Sequence, residues 1–134
     1  MIRRLAECIS ACPYLEDREV KVNYLDKDIG AASIERAQSR KSEKAYTDGG
    51  RLENTVFVLA LREAFGMGDF ENQRIEEKCE AIEKWLEEEF LESKDDLGLI
   101  FLRLIKPFGI SGTEGSFARY EAEIEVVYLK NQKF

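Results

Sequence analysis

The stretch KAYTDGGRLENTVFVLALREAF, Lys44 to Phe65, decides how this chain folds. It opens on a polar corner with adjacent glycines and runs into a segment rich in β-branched and aromatic residues. Asn54 to Phe65 carries apolar residues on both alternating faces, the pattern of a central strand with two occupied sides. The glycines raise a competing reading, a phosphate-cradling loop. A Walker-type loop needs Gly-x-x-x-x-Gly-Lys-Ser/Thr opening a helix, and a dinucleotide fingerprint also opens a helix. Here Arg51 follows the glycines, and the next segment is strand-like. Asp48-Gly49-Gly50 therefore reads as a turn that uses positive φ, which glycine adopts without steric cost.

Working outward, Val20 to Leu25 (VKVNYL) alternates Val20, Val22 and Tyr24 with Lys21 and Asn23 and predicts a strand. Ala32 to Ala37 is a weaker strand pattern. Leu99 to Lys106 (LIFLRLIK) is nearly continuous in apolar residues and predicts a second central strand. Phe117 to Leu129 alternates strongly. Ala118, Tyr120, Ala122, Ile124, Val126 and Tyr128 share one face, and Phe117, Arg119, Glu121, Glu123, Glu125, Val127 and Leu129 share the other. Two helices complete the order. Ile2, Leu5, Ile9 and Cys12 step by three and four along a short one that Pro13 ends. From about Glu71 to Ser93, Ile75, Cys79, Ile82, Leu86 and Phe90 form an apolar stripe with Trp85 beside it. Glu76, Glu77, Glu80, Glu83, Glu87 and Glu88 cover the wet side. Asp69 is the expected N-cap, and Gly66 and Gly68 break the strand before it. Gln38 to Lys44 and Gly109 to Ser116 are polar and predict exposed loops. The expectation is one α+β domain over residues 1–134. It has a mainly antiparallel sheet of four or five strands, with an N-terminal helix and a longer helix packed on one face.

The composition narrows function more by exclusion than by motif. With 134 residues, 44% hydrophobic and 35% charged, the chain suits a single core without disulfide or metal staples. The formal charge of −7 opposes broad nucleic-acid or anionic-membrane binding, because a negative surface repels phosphates. No stretch approaches the roughly 18 apolar residues of a membrane span. The N-terminus has no apolar run fit for a signal peptide, and three cysteines without such a signal imply a reducing compartment. The chain has no His, so Ser-His, Cys-His and His-based metal sites cannot form within it. Cys8, Cys12 and Cys79 supply three thiols where a structural zinc site wants four ligands, and Cys12 and Cys79 lie on apolar stripes, so they read as packing. Gly66 to Phe70 (GMGDF) precedes a helix, but Asp69 and Glu71 would repel a phosphate there. Glu121, Glu123 and Glu125 project from one sheet face about 7 Å apart along the strand. They lack the sugar-stacking aromatics of a glycosidase pair and the Asp-x-Asp loop of a cation site. They read as a solvated face or as a charged wall in an assembly.

Together, Lys44 to Glu89 and Ala118 to Lys130 resemble the small minor capsid or tail terminator proteins of tailed phages and prophages of Gram-positive bacteria. The resemblance covers most of the chain and rests on the order of individually weak motifs. Val20, Val22, Tyr24 and Leu25 match a Val-x-Val-x-Tyr-Leu strand after a short N-terminal helix. Tyr46, Asp48, Gly49 and Gly50 match a Tyr-x-Asp-Gly-Gly/Ser turn after a lysine-rich link. Arg62 and Glu63 match an Arg-Glu strand end, Asn72 and Trp85 a helix start and a Trp-bearing helix, and Ala118 to Tyr120 an Ala-Arg-Tyr strand. Pro107 to Ser116 and the acidic run after Tyr120 are not diagnostic. The resemblance implies a structural protein with no catalytic residue, no cofactor and no metal. It implies a hexameric ring that caps the tail tube, meets head-completion proteins, resides in the virion and is assembled in the host cytoplasm. Sequence-specific nucleic-acid binding and membrane binding are not implied. Glu121, Glu123 and Glu125 become a candidate acidic lumen or interface face, and Arg40, Lys41, Lys44 and Tyr46 a candidate interface loop. The alternative is a minor capsid or head–tail connector protein acting as a monomer or another oligomer.

Overall fold

β4 (Gly50–Ala64) pairs antiparallel with β6 (Phe117–Asn131) from Gly50↔Asn131 to Ala64↔Phe117, and this long ladder organises the chain. The computed structural model describes residues 2–15, 19–25, 27, 30–37, 42–45, 50–66, 68–88 and 99–131, with backbone alone at Arg4, 42–45, 50–53, 69–71, 99–101 and 128–131. The other elements are α1 (Ile2–Ile9), a 3-10 turn (Pro13–Leu15), β1 (Val20–Val22), β2 (Ala32–Arg36), β3 (Ser42–Ala45), α2 (Asp69–Glu88) and β5 (Leu99–Glu114). Among the described residues the sheet runs β1-β2-β4-β6-β5, and β3 adds a sixth strand along the first part of β4.

The class is α+β, as expected, and the sheet is mixed rather than all antiparallel. β1 and β2 pair in parallel, Val20↔Ala32 to Val22↔Ile34. Period-two patterning marks a strand but carries no direction. The reversal that permits parallel pairing begins at Asn23, which adopts φ 55°, a left-handed conformation that Asn tolerates.

Alternation along β4 separates two environments. Thr55, Phe57, Leu59, Leu61 and Glu63 are buried on one face, while Asn54, Val56, Val58, Arg62 and Ala64 are half-buried on the other. α1 packs over β1 and β2, and α2 packs over β4 and β5. Leu5, Ile9, Leu15, Ile34, Phe57, Leu59, Leu61, Ile82, Leu86 and Ile124 form the fully buried centre of that layer. Each such side chain contributes about 1.5–3 kcal/mol through burial.

Four expectations need correction. Gly109 to Glu114 is not a loop: it continues β5, pairing from Gly109↔Glu121 to Glu114↔Phe117, and only Gly115-Ser116 turns. Ladder hydrogen bonds come from backbone, so β6 recruits this glycine-rich segment despite its poor strand propensity. Ser42 to Ala45 is likewise a strand, paired from Ser42↔Asn54 to Ala45↔Arg51. β5 is an edge strand rather than a central one, and its apolar run is divided: Leu102 is buried, Leu104 half-buried and Ile105 exposed. Finally, Asn72 N–H donates to Gly68 C=O at 3.1 Å, so Gly68 carries the opening carbonyl and Asp69 is the first residue within α2. Gly68 has φ 118°, a region closed to L side chains. The strand after Asp48-Gly49-Gly50 is present as β4, while residues 46–49 lie outside the described residues.

Candidate functional site

Strand alternation places Glu121, Glu123 and Glu125 together on the sheet face that α1 and α2 leave uncovered among the described residues. Val56, Val58, Phe117 and Val127 are half-buried around them. The carboxylates are not equivalent. Arg119 Nε donates to Glu121 Oε2 at 2.6 Å, and Arg119 Nη2 reaches across β4 to Glu35 Oε1 on β2 at 2.7 Å. Ala60, fully buried between Glu121 and Ser33 in register, has no bulk to obstruct that reach. Ser33 Oγ donates to the other oxygen of Glu35 at 2.8 Å, so the carboxylate is held from both sides. Burial by itself would lower the Arg119 pKa, and the hydrogen bonds and charges of Glu35 and Glu121 outweigh it and raise it.

Glu125 is paired as well. Arg103 Nη2 on β5 donates to Oε1 at 3.0 Å, and Asn54 Nδ2 on β4 donates to Oε2 at 3.1 Å. Glu123 faces Lys106 in register and makes no ion pair among the described residues. Arg62 lies directly opposite Arg119, a like-charge pairing offset by the two carboxylates on Arg119 and by Glu114 at 4.0 Å from Arg62. The face is a lattice of alternating sign rather than an acidic wall.

The helix-covered side carries two clefts beside α2. One, of about 550 Å³, is lined in part by Pro13, Tyr14, Arg74 and the Glu63–Lys78 pair. Lys78 Nζ donates to Glu63 Oε2 at 2.6 Å and ties α2 to β4. The other, of about 520 Å³, lies between α2 and β5. Phe65, Phe108 and Tyr120 give it apolar walls, and Glu76, Glu80 and Glu83 form one stripe of its helical side. Glu83 Oε2 accepts from Phe108 N–H at 2.9 Å. That bond, Pro107 with no N–H to offer, and the register shifts along β5 blunt this edge against added strands.

No disulfide forms: Cys12 and Cys79 are buried and Cys8 is half-buried. Burial, with Glu83 and Glu63 adding, pushes the Cys79 thiol up to about 12, so it stays protonated at neutral pH and is a poor nucleophile. Tyr120 is raised by the same burial. Of the candidate loop residues, Lys44 lies in β3 opposite Leu52, whereas Arg40, Lys41 and Tyr46 lie outside the described residues. Sequence reading overlooked the Glu35–Arg119 tie and the Glu63–Lys78 tie. The second had a signal: Glu63 continues the buried period of Phe57, Leu59 and Leu61, where a charge requires a partner.

The sequence matches no protein-family model and no curated protein.

Proposed function

We propose that this chain is a structural subunit of a tailed-phage or prophage particle, one that resembles a tail terminator and closes into a ring at the head–tail junction. The uncovered sheet face carries this reading. Its charges are paired laterally through Arg119 and Arg103, with half-buried valines between them. Such a face buries against another protein at reduced desolvation cost, because its polar atoms already have partners. Glu121, Glu123 and Glu125 belong to this contact face, the partners are copies of the chain, tail-tube protein and head-completion proteins, and no catalysis or cofactor is invoked. The order of motifs along the sequence adds the phage assignment. The second reading, a monomeric connector, is favoured by the blunted β5 edge, which opposes ring closure by strand addition.

Mass measurement in solution and on purified tail tubes separates these readings. Closed oligomers, hexamers for a terminator, support the ring. Single copies bound to the tube support the connector. A chain that neither binds tubes nor self-associates removes both.

A further inference from the structure

The groove between α2 and β5 is acidic on one wall and apolar on the other. Glu76, Glu80 and Glu83 step by four and three, so they share one face of α2 and span about 10 Å of it. Glu76 and Glu80 are exposed and make no ion pair or hydrogen bond among the described residues. Asn72 Oδ1, on the same helical wall, is buried and accepts no hydrogen bond among them either. No Lys or Arg among the described residues lines the groove. Lys78 is held by Glu63 in the other cleft, and Lys106 is in register with Glu123 of the uncovered sheet face. Facing the acids stand Phe65, Phe108, Ile110 and Tyr120, and Ile110 is 48% exposed, an apolar side chain left in water. Burial, then Glu83, Glu63 and Glu76, raises the Cys79 thiol, and burial, then Cys79, Glu63 and Glu76, raises the Tyr120 phenol. The negative field therefore reaches the groove floor.

The backbone along this wall limits what can lie in the groove. Phe108 N–H is already given to Glu83 Oε2, and Pro107 has none, so an extended segment laid here finds no run of ladder donors. A helix satisfies its own backbone and binds through side chains alone. We propose that the groove receives a basic amphipathic helix of a partner protein, its Lys or Arg side chains on Glu76 and Glu80 and its apolar stripe on Phe108, Ile110 and Tyr120. Cations one turn apart on that helix match Glu76 and Glu80, which are one turn apart on α2. The helix does not come from a second copy of either helix described in this chain. α1 carries Arg3 and Arg4 but buries Leu5, Ala6 and Ile9 in its own core, and α2 is itself acidic. The groove lies on the opposite side of the sheet from the charged contact face. It therefore adds a second partner to the proposed subunit and does not depend on ring closure.

The probe is a labelled Leu/Lys peptide of about four turns with Leu at helical spacing, followed by fluorescence anisotropy in about 0.15 M salt. A peptide of the same composition in scrambled order, equal in charge but not amphipathic, is expected to bind about tenfold more weakly or worse. Glu76→Lys with Glu80→Lys is expected to weaken binding of the amphipathic peptide about tenfold or more. Glu87→Lys with Glu88→Lys makes the same charge change at the exposed end of α2 and is expected to change binding less than about threefold. Ile110→Ser is expected to weaken it by about threefold or more without any change of charge. Thermal melting verifies that each variant folds. No binding of the amphipathic peptide overturns the proposal. Equal binding of the scrambled peptide, or equal loss in the groove and end-of-helix reversals, shows attraction to net charge alone and also overturns it. None of these outcomes bears on oligomeric state, so the ring reading stands or falls separately.

Discussion

Replacing Lys78 with Met should be far more damaging than replacing Lys78 and Glu63 together. Lys78 Nζ sits 2.6 Å from Glu63 Oε2, with side chains only 16% and 8% exposed. Removing the ammonium leaves a carboxylate that is only 8% exposed without its cation. Breaking such a pair costs about 3–5 kcal/mol. The remaining exposure of Lys78 lets water reach the site, so the lower end, about 3 kcal/mol, applies. For a domain of this size that lowers the melting temperature by about 10 °C. The double replacement Glu63→Met with Lys78→Met removes both charges and keeps the volume, so it should lie within about 1 kcal/mol of wild type. Trp85 is the only tryptophan, lies on α2 two turns from Lys78 and is 9% exposed, so its fluorescence during urea unfolding reports directly. A single variant that loses less than about 1 kcal/mol, or a double variant as unstable as the single, refutes the claim that this pair is buried and coupled.

Two further outcomes are expected. Because burial favours the neutral Cys79 thiol, the folded chain keeps a proton that the unfolded chain releases near pH 9. Stability is therefore intact below pH 9 and declines as pH rises toward 12, by at most about 1.4 kcal/mol per pH unit. Cys79→Ala should flatten the decline in urea titrations between pH 8 and pH 10, and parallel curves for the two proteins would contradict the buried thiol. Arg119→Lys should cost about 1 kcal/mol, because one ammonium cannot span Glu35 and Glu121 as the guanidinium fork does, and the pairs are about a third exposed. Urea unfolding at wild-type stability would show that the fork contributes nothing.

The elements legible in the sequence were those whose burial is one-sided or complete. β6 was read correctly because its two faces differ in chemistry, and α2 because Ile75, Cys79, Ile82 and Leu86 repeat at the helical period and are buried together. The misreadings have a common cause. Gly109 to Glu114 and Ser42 to Ala45 become strands because β6 and β4 present unpaired backbone groups beside them, and no side-chain period announces that. A nearly continuous apolar run fits a central strand, yet β5 lies at the edge and Ile105 stands in solvent. Position in a sheet is settled by neighbours, which Leu99 to Lys106 does not encode. The face of Glu121, Glu123 and Glu125 was legible for the same reason as β6. The Glu125 partner was not, because Arg103 comes from β5, nor was the second partner of Arg119, because Glu35 lies across β4 on β2.

Those partners change what the acidic strand can do. Three carboxylates at period two invite the idea of a ring lumen that repels passing DNA, which requires an uncompensated field. Here the guanidinium of Arg119 is 2.6 Å from Glu121, and that of Arg103 is 3.0 Å from Glu125. Each pair is a dipole whose field falls off faster than that of a single charge, and salt screens the remainder within about 8 Å. Arg119 is shared by Glu35 and Glu121, so that cluster keeps one net negative charge, and Glu123, opposite Lys106 in register, makes no ion pair among the described residues. Two such charges per subunit, one of them facing a lysine, make a weak wall. The pairing that weakens the repulsion also lowers the cost of covering the face, since Glu35, Glu121 and Glu125 already accept hydrogen bonds before a partner arrives. The electrostatics therefore favour a protein against this face over DNA sliding past it.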